Sequence, residues 1–496
     1  MLLFAAGVLI SGVAAFVSVQ PNDEGLMLQA AARVAAGELP YRDFWWFYPP
    51  GQAYLLGGLD ALLGPSLATW RIVRVLADAG VAVLACALAV RLGARPPAAL
   101  LAWAVAVLAM ATPSGPHPFP IALALALGAL LCFQRRPGLA GVLTGACAAW
   151  RIEFAGALAA GIALGLLLGG GRRELTRYAA GALVVSAVLL LPVVAAAGVR
   201  PSFALLVEYP LTDFRDYQGL PFPVAYAGPL NTSSPGGFLR DSAEPLLLHF
   251  LPLVLVLGLA GALLALGRRL REPLLAAAVV LSLAMLLYLL TRADLFHTAP
   301  LAAVGGVLAA AAVSGAPRGL RRVPAALAAA ALAYAALEGL DRRTLALRED
   351  TRPLRLAVAD GVRVPPAQAR ALEGAVADIR ARTRSDEPIY VATQRADRVT
   401  AGNPLLYVLA QRPNPTRYDI AAPGVITSAP VQREIIATLE GRRTRVVVRD
   451  SSVGTAAPEP NAAGRSSGVR LLDAHLERRY RPVARYGSLR LLVRRP

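Results

Sequence analysis

The chain has 496 residues, of which 56% are hydrophobic and 17% are charged, and a formal net charge of +18 at neutral pH. A composition this apolar excludes an ordinary soluble protein and predicts a polytopic α-helical membrane protein. The basic residues stand largely in short clusters between apolar runs, so the positive charge indicates membrane topology and not a nucleic-acid partner.

Apolar runs that predict membrane helices follow one another through the first 340 residues. The run 2–19 has no cationic start and no clear cleavage site, which predicts a retained first span and not a cleaved signal peptide. Several runs fall short of the ~20 residues that a straight span needs, and the pair 138–150 and 155–171 is also compatible with a broken or re-entrant element. About eleven runs are present, at 2–19, 72–92, 97–112, 118–134, 138–150, 155–171, 179–198, 246–267, 273–291, 299–316 and 323–340.

Arginine clusters occupy every second loop between these runs and set the expected orientation. Because arginine is retained on the cytoplasmic side, these loops are predicted to be cytoplasmic. The alternating loops, at 20–51, 113–117, 150–154, 199–245 and 292–298, are then extracytoplasmic, as is everything after about residue 341. The clusters are formed by Arg91, Arg95, Arg135, Arg136, Arg172, Arg173, Arg177, Arg268, Arg269, Arg271, Arg318, Arg321 and Arg322.

The pattern of apolar residues becomes short and periodic in the last third of the chain, which is typical of a soluble α/β domain. We therefore expect two parts, a membrane domain at 1–340 with its first extracytoplasmic loop at 20–51, and an extracytoplasmic domain at 341–496. Helix-like patterns cover 365–383, 431–441 and 469–480, and strand-like patterns cover 388–393, 444–450 and 487–495.

Two adjacent carboxylates, Asp23 and Glu24, stand at the start of a helix-like run in the first outer loop. One explanation is structural, because Asn22 suits a helix N-cap and the helix dipole favours acids in the first turn. The other is functional, because ionisable groups near a bilayer are costly and are usually paired or part of a site. The sequence leaves both explanations open.

Four arginines lie at the outer ends of apolar runs, where the positive-inside rule disfavours them. A guanidinium fork matches phosphate oxygens bidentately, so a group of arginines at one depth predicts a site for a lipid-linked phosphate. The alternative is local ion pairing, with each arginine held by an acid a few residues away. The arginines are Arg71, Arg74, Arg151 and Arg292, and the local acids are Asp78, Glu153 and Asp294.

Two histidines, His117 and His297, fall in the predicted outer loops. Each is a candidate proton carrier, hydrogen-bond donor or metal ligand. No metal-binding spacing of histidines is present, and the three cysteines lie inside apolar runs, so we expect no metal or other cofactor and place His297 beside phosphate. A divalent cation held by these histidines with Asp23, Glu24 and Asp294 remains the alternative.

The stretch AAARVAAGELPYRDFWWFYPPG at 30–51, which begins six residues after Glu24, resembles the first outer loop of GT-C membrane glycosyltransferases of the family-39-like group. That group includes protein O-mannosyltransferases and the lipid A aminoarabinose transferase. TRADLFHTAP at 291–300, NPTRYD at 414–419 and YRPVARYG at 480–487 also resemble bacterial members with an extracytoplasmic tail domain. The resemblance implies a GT-C-like fold for the membrane domain.

The same resemblance implies an inverting glycosyltransferase of the bacterial cytoplasmic membrane. It would move a sugar from a polyprenyl-phosphate donor to a lipid, glycan or protein acceptor on the outer face. Asp23 would be the catalytic base, with Glu24 as a supporting or alternative base. Some relatives have a lysine ahead of the proline at the distal end of the loop, whereas Tyr48 stands there in this chain, which transfers the phosphate contact to Arg42 or to the outer arginines.

These considerations give a set of candidate residues for each role. The expected donor-phosphate ligands are Arg71, Arg74, Arg151, Arg292 and His297, and the expected substrate contacts are Arg42, Asp43, Tyr48, His117 and Asp294. A transporter or lipid flippase is the alternative function; it predicts polar residues that continue to the cytoplasmic side and an inverted repeat. A third is a non-catalytic scaffold whose tail binds a cell-wall partner.

Overall fold

The computed structural model describes residues 1–110, 119–223, 225–226, 228–315, 322–398, 400–422, 424–451 and 461–496. In the part of the chain before residue 349 that the structure describes, the regular elements are helices. In chain order the helices are α1 (Leu2–Gly12), α2 (Asp23–Ala35), α3 (Gly51–Leu63), α4 (Leu67–Arg91), α5 (Pro96–Ala109), α6 (Phe119–Cys132), α7 (Pro137–Ala148), α8 (Ile152–Leu168), α9 (Arg172–Ala197), α10 (Val199–Phe203), α11 (Tyr209–Leu211), α12 (Asp213–Gln218), α13 (Pro235–Asp241), α14 (Ala243–Leu266), α15 (Pro273–Thr291), α16 (Leu295–Gly315) and α17 (Arg322–Arg348). A π-helical turn covers Ala204–Glu208 and a 3-10 turn covers Gly267–Arg271.

Every apolar run predicted from the sequence corresponds to one of these helices. Among the described residues, six helices, α4, α9, α14, α15, α16 and α17, are long and apolar enough to cross a membrane, and α1, α5, α6, α7 and α8 are shorter apolar helices. The first run ends earlier than predicted, because the backbone turns at Ala14 and Ser18, where φ is +61° and +63°. α17 continues to Arg348, past the point where the tail was predicted to begin.

The predicted separation of loops into two sets is visible in the contacts at the two ends of the bundle. At one end the first loop meets the α7–α8 connection, where Gly51 N–H donates to Ala149 O at 2.7 Å. At the other end Arg269 Nη2 donates to Leu92 O at 2.9 Å, and Arg95 N–H donates to Ser314 Oγ at 2.8 Å. Which end faces the cell exterior stays a prediction.

The tail contains a four-stranded mixed sheet in the order β3-β4-β6-β5, with helices packed against it. β3 and β4 are parallel, whereas β4, β6 and β5 pair antiparallel. The predicted helices and strands of the tail are all present, and the sequence analysis missed α19, β5 and the two-residue strands β1 and β2. The elements are β1 (Arg352–Pro353), β2 (Arg363–Val364), α18 (Pro366–Arg382), β3 (Ile389–Thr393), α19 (Leu405–Ala410), α20 (Ala429–Gly441), β4 (Val446–Asp450), α21 (Leu471–Arg479), β5 (Tyr480–Tyr486) and β6 (Leu489–Arg494), with a 3-10 turn at Ala357–Ala359.

The buried apolar side chains form two clusters, and their membership divides the chain differently from the predicted boundary. One cluster is the interior of the helical bundle, from Val81 on α4 to Ala336 on α17. The other contains the interior of the tail and, with it, Leu26 of α2 and Trp46 of the first loop. The first loop is therefore packed into the core of the tail domain.

Candidate functional site at the tail end of the bundle

Asp23 is the first residue of α2, at the end of the bundle that carries the tail. The predicted N-cap geometry does not form: Asn22 has helical backbone angles, and its side-chain amide donates to Asp23 Oδ1 at 3.0 Å. The Asp23 side chain is half-buried, and burial raises the pKa of its carboxyl to about 6. The positive charge of Arg292 opposes this shift and the carboxylate of Asp294 adds to it, so both lie within electrostatic reach of Asp23.

Arg292, Asp294 and His297 form a hydrogen-bonded group between α15 and the first turn of α16. Arg292 Nε donates to Asp294 Oδ2 at 2.8 Å, and the backbone N–H of His297 donates to Asp294 Oδ1 at 2.9 Å. The same oxygen lies 2.6 Å from His297 Nδ1. Burial raises the pKa of Asp294, but the hydrogen bonds from His297 outweigh it, so the pKa is lowered. Asp294 therefore stays ionised and orients both neighbours.

Arg151 lies just before α8 inside a cage of aromatic rings. Its guanidinium carbon is 4.9 Å from the ring centroid of Tyr288, 5.5 Å from that of Phe154 and 6.0 Å from that of Tyr48. It forms an ion pair with Glu153, whose side chain is half exposed, while Arg151 itself is 7% exposed. Burial lowers the pKa of Arg151. The carboxylate of Glu153 and its neighbours raise the pKa by more than burial lowers it, so the guanidinium stays cationic.

Two tyrosines connect Arg151 with the acids Asp23 and Asp294 and their partners. Burial raises the pKa of Tyr48; Asp23 raises it further and Arg151 lowers it, so Tyr48 is within electrostatic reach of both charges. The ring of Tyr288 is 4.8 Å from the ring of His297, centroid to centroid. One cluster thus contains Asp23, Tyr48, Arg151, Tyr288, Arg292, Asp294 and His297.

The aromatic end of the first loop is held against the bundle by a close backbone contact. A Cβ on Gly51 would lie 2.6 Å from Ala149 O and 2.9 Å from the Trp150 ring, so this position has no room for a side chain. Trp150 Nε1 donates to Gln52 Oε1 at 3.2 Å. The contact places Tyr48 next to Arg151.

Glu24 and Arg71 do not join this cluster, which argues against two of the roles predicted for them. Both are fully buried, and the guanidinium binds the carboxylate in a bidentate manner, Nε to Oε1 at 2.7 Å and Nη2 to Oε2 at 2.9 Å. Arg71 also donates to Ala15 O and Ser18 O. Since the polar atoms of the pair are engaged by protein groups, the geometry favours a structural role for Arg71 over phosphate binding, and for Glu24 over catalysis.

The other predicted residues that the structure describes lie in two different surroundings. Arg74 is buried on α4 beside the rings of Trp70 and Phe119, at 5.8 and 5.9 Å. Arg42 and Asp43 form a bidentate ion pair with each other in the exposed turn of the first loop. His117 lies outside the described residues, so its predicted role stays a prediction.

Sequence reasoning missed Tyr288, which contacts both Arg151 and His297. Its position was detectable in principle, because it lies one helical turn before Arg292 at the end of an apolar run, where aromatic residues gather. Tyr209 was also missed; its ring packs edge-on against Trp45 at 4.8 Å. This contact joins the segment after α9 to the first loop.

Among the described residues there is no cluster of metal-ligand type, and one cavity lies away from Asp23. Within the described part of the chain, no group of three or more His, Cys, Asp or Glu side chains has the arrangement of a metal site. A cavity of about 230 Å³ lies between α2 and the tail, but Asp23 does not line it. Its walls include Gln29, Arg33 and Asn414.

Comparison of the sequence with protein-family models and with curated proteins gives no match. Comparison of the structure does give matches. ArnT from Cupriavidus metallidurans, solved bound to undecaprenyl phosphate, is similar over 99% of this chain and 97% of its own, with a TM-score of 0.58 and 15% identity. AglB, an archaeal oligosaccharyltransferase from Archaeoglobus fulgidus solved with an inhibitory peptide and a dolichol-phosphate, is similar over 90% of this chain and 69% of its own (TM-score 0.55, 14% identity).

A third similar structure is the arabinofuranosyltransferase AftD from Mycobacteria. It matches all of this chain with a TM-score of 0.53 and 17% identity, and this chain spans 40% of its length. All three are GT-C fold membrane glycosyltransferases. At these identities the likeness shows the fold: the chain has a GT-C-like architecture with a C-terminal α/β part, and the fold class predicted from the sequence is confirmed.

Proposed function

We propose that the chain is an inverting glycosyltransferase that moves a sugar from a polyprenyl-phosphate donor to a hydroxyl acceptor, which is a lipid, a glycan or a protein. The observation that carries the proposal is the connected group around Asp23: its carboxyl, whose pKa is raised, interacts electrostatically with Arg292, and Tyr48, whose ring lies 6.0 Å from the Arg151 guanidinium carbon, is within electrostatic reach of Asp23. The GT-C-like fold supports it, since ArnT was solved with undecaprenyl phosphate and AglB with a dolichol-phosphate.

Asp23 has the properties of a general base for this reaction. The acceptor oxygen attacks the anomeric carbon as the bond from that carbon to the phosphate oxygen breaks, and the acceptor proton passes to the Asp23 carboxylate. A base works best when its pKa lies close to the working pH, and such proton transfer contributes about 10²–10⁴-fold. A pKa of about 6 leaves Asp23 ionised at neutral pH but more basic than an exposed aspartate.

Arg151 and Arg292 have the properties of ligands for the leaving phosphate. The leaving group gains negative charge as the sugar departs, and fixed cations in a site shielded from water stabilise that charge strongly. Arg151 needs no movement to do so, because the aromatic cage and Glu153 hold its guanidinium. Asp294 holds the Arg292 guanidinium by an ion pair. It also orients His297, which we assign as a hydrogen-bonding partner for the same phosphate.

We assign Glu24, Arg71 and Arg74 to the support of this site. The buried ion pair between Glu24 and Arg71 fixes the start of α2 to α4, and Asp23 is the next residue along the chain. The polar stripe on α4 extends to Asp78, and the buried positions beyond it are apolar, namely Val81, Ala82, Ala85, Leu88 and Ala89. A transporter requires a polar path across the membrane, and α4 offers none beyond its middle.

Replacement of Asp23 by Asn tests the proposal directly. The amide is nearly the same shape but cannot accept the acceptor proton, so transfer of a radiolabelled sugar from polyprenyl-phosphate sugars should fall at least about 10²-fold. Undecaprenyl phosphate should still bind, which co-purification of radiolabelled undecaprenyl phosphate with the protein in detergent measures. Asp386→Asn, an exposed acid paired with Arg384 in the tail, is the matched control and should keep full activity.

Two outcomes contradict the proposal. Full transfer by the Asp23→Asn protein removes Asp23 from the role of base. Failure of the unmodified protein both to bind undecaprenyl phosphate and to transfer sugar from any polyprenyl-phosphate donor removes the function itself.

A further inference from the structure

One face of α2 is turned toward the tail domain, and it is marked by Gly25, Gln29 and Arg33. These residues are spaced by four and therefore lie one above another along the helix. Each of them contacts a segment of the tail that runs from residue 403 to residue 419, which we call the clasp. The catalytic-loop helix is thus held by a part of the chain almost 400 residues away in sequence.

The first contact lies two residues from Asp23. A Cβ added to Gly25 would lie 2.3 Å from Leu405 N and 2.7 Å from Leu405 Cα, so the two backbones touch. The Leu405 N–H donates to Pro21 O at 3.1 Å. Asp23 is therefore flanked on both sides along the chain by residues in contact with the clasp.

The second contact is centred on Asp419, whose side chain is 2% exposed. Its carboxylate binds Arg33 through Nε–Oδ2 at 2.8 Å and Nη2–Oδ1 at 3.1 Å, and Oδ1 also accepts from Gln29 Nε2 at 3.2 Å. Asn414 Nδ2 donates to the same oxygen at 3.0 Å. A buried carboxylate with this number of donors fixes the position of the helix that supplies them.

The third contact reaches the other end of the first loop. Trp45 N–H donates to Arg417 O at 2.8 Å, and Arg417 Nη2 donates to Tyr41 O at 3.2 Å. Tyr41 Oη in turn donates to Tyr48 O at 2.8 Å. The clasp therefore fixes both Asp23 and Tyr48, the two loop residues of the proposed site.

We propose that the clasp is a positioning element for catalysis, with Asp419 as its central positioning residue. This inference rests on the proposed function, because it assigns a catalytic purpose to a structural contact. A displacement of about 1 Å at a reacting group costs about 10²-fold in rate. The tail thus fixes the position of the base, Asp23, relative to Arg151 and Arg292. Asp419 acts through Arg33 and does not touch the substrate.

The test removes the ion pair as a pair, since Asp419→Ala alone would leave Arg33 buried with fewer partners and risk unfolding. Arg33→Met/Asp419→Asn deletes both charges at similar volume and keeps an amide oxygen that can accept from Gln29 and Asn414. Arg352→Met/Glu373→Gln is the matched control, because it deletes a bidentate ion pair internal to the tail. Both are made in the full chain and measured by hydrogen exchange of the α2 amides, by kcat and KM for transfer, and by undecaprenyl phosphate affinity.

The proposal expects the Arg33/Asp419 variant to exchange α2 amides at least about tenfold faster and to lose about 10–10²-fold in kcat. KM and undecaprenyl phosphate affinity should stay within about twofold, because Arg151 and Arg292 are untouched. The control should change none of these. Unchanged α2 exchange overturns the proposal, as does a loss of kcat in the control of the same size. Hydrogen exchange needs no substrate, so absence of transfer by the unmodified protein counts against the proposed function alone.

Discussion

Asp23 and Glu24 are neighbours in the chain, but their side chains enter different environments. Successive residues of a helix point about 100° apart, so one acid can face the bundle while the next faces the site. Glu24 is enclosed by Arg71, whereas Asp23 meets the opposed charges of Arg292 and Asp294. Their environments give one acid a structural ion pair and leave the other available for proton transfer.

The raised pKa of Asp23 predicts a dependence of stability on pH. The pKa rises from 3.8 in the unfolded chain to about 6 in the fold, so the folded state holds this proton more tightly. Stability is then lost as the pH rises through this window, because ionisation is harder in the fold. Asp23→Asn has no such loss, and we expect it to be more stable than the unmodified protein above about pH 6 by about 1–3 kcal/mol.

Denaturant unfolding in detergent between about pH 2 and pH 8 measures this difference. Below about pH 3 the two proteins should be equally stable, because Asp23 is then protonated in both states. The same ionisation should set the acidic limb of the pH–rate profile, with activity rising through a midpoint near pH 6. An Asp23→Asn protein less stable than the original at pH 7.5 would show instead that ionised Asp23 is favoured by Arg292.

At the scale of single elements, α9 has an unusual attachment to the bundle. α9 has 26 residues, and little of its surface is buried in the bundle. It packs mainly against α7, where glycines allow the two helix backbones to come into contact. A Cβ on Gly141 would lie 2.1 Å from Tyr178 O, and one on Gly145 would lie 2.5 Å from Ala182 O. This spacing of small residues by four is the usual way for membrane helices to approach closely.

We expect Gly141→Ala to push α9 away from α7. The methyl group cannot be accommodated next to a carbonyl oxygen of a helix backbone, so the loss should be about 1–3 kcal/mol. Thermal unfolding in detergent measures it. Gly156→Ala on α8 is the matched control, because a Cβ there meets nothing within 4 Å, and it should be neutral or slightly stabilising. Equal behaviour of the two variants would show that α9 tolerates displacement.

Elements were predictable where the pattern was long, and were missed where it was short or interrupted. The apolar runs and most tail elements follow from their periodicity alone. α19 has six residues, too few to show a helical period, and β5 contains Pro482, which counts against a strand; a register shift follows it. β5 lies at the edge of the sheet, and the register shift accommodates Pro482, which has no backbone N–H to donate to a neighbouring strand.

Side-chain partners were less predictable than elements, because sequence shows only local options. The local ion pairs of Arg151 with Glu153 and of Arg292 with Asp294 do form, yet they coexist with a shared site and do not exclude it. Arg71 instead pairs with Glu24, on another helix. That pairing depends on the turn of the chain after α1, because the carbonyls of Ala15 and Ser18 there accept hydrogen bonds from the Arg71 guanidinium. The periodicity of apolar residues does not predict such a turn.

Across the whole molecule, the proposed reaction depends on a continuous assembly of three parts at one end of the bundle. The first loop supplies Asp23, the membrane helices supply Arg151 and Arg292, and the tail supplies Asp419. Because the first loop packs into the core of the tail, the soluble domain and the site form one structural unit. All of them must therefore lie on the same side of the membrane, and the arginine-rich loops on the other.

This arrangement predicts which positions a membrane-impermeant thiol reagent reaches in intact cells. Two arginines suit the measurement: Arg384 in the tail, with a side chain 79% exposed, and Arg135 in the loop between α6 and α7, which is also exposed. In a chain with its native cysteines replaced, Arg384→Cys should react at once, and Arg135→Cys only after the membrane is permeabilised. Both should react equally once permeabilised, which controls for intrinsic reactivity. The reverse pattern would turn Asp23 toward the cytoplasm, and a polyprenyl-phosphate donor presented on the outer face would then never meet the base.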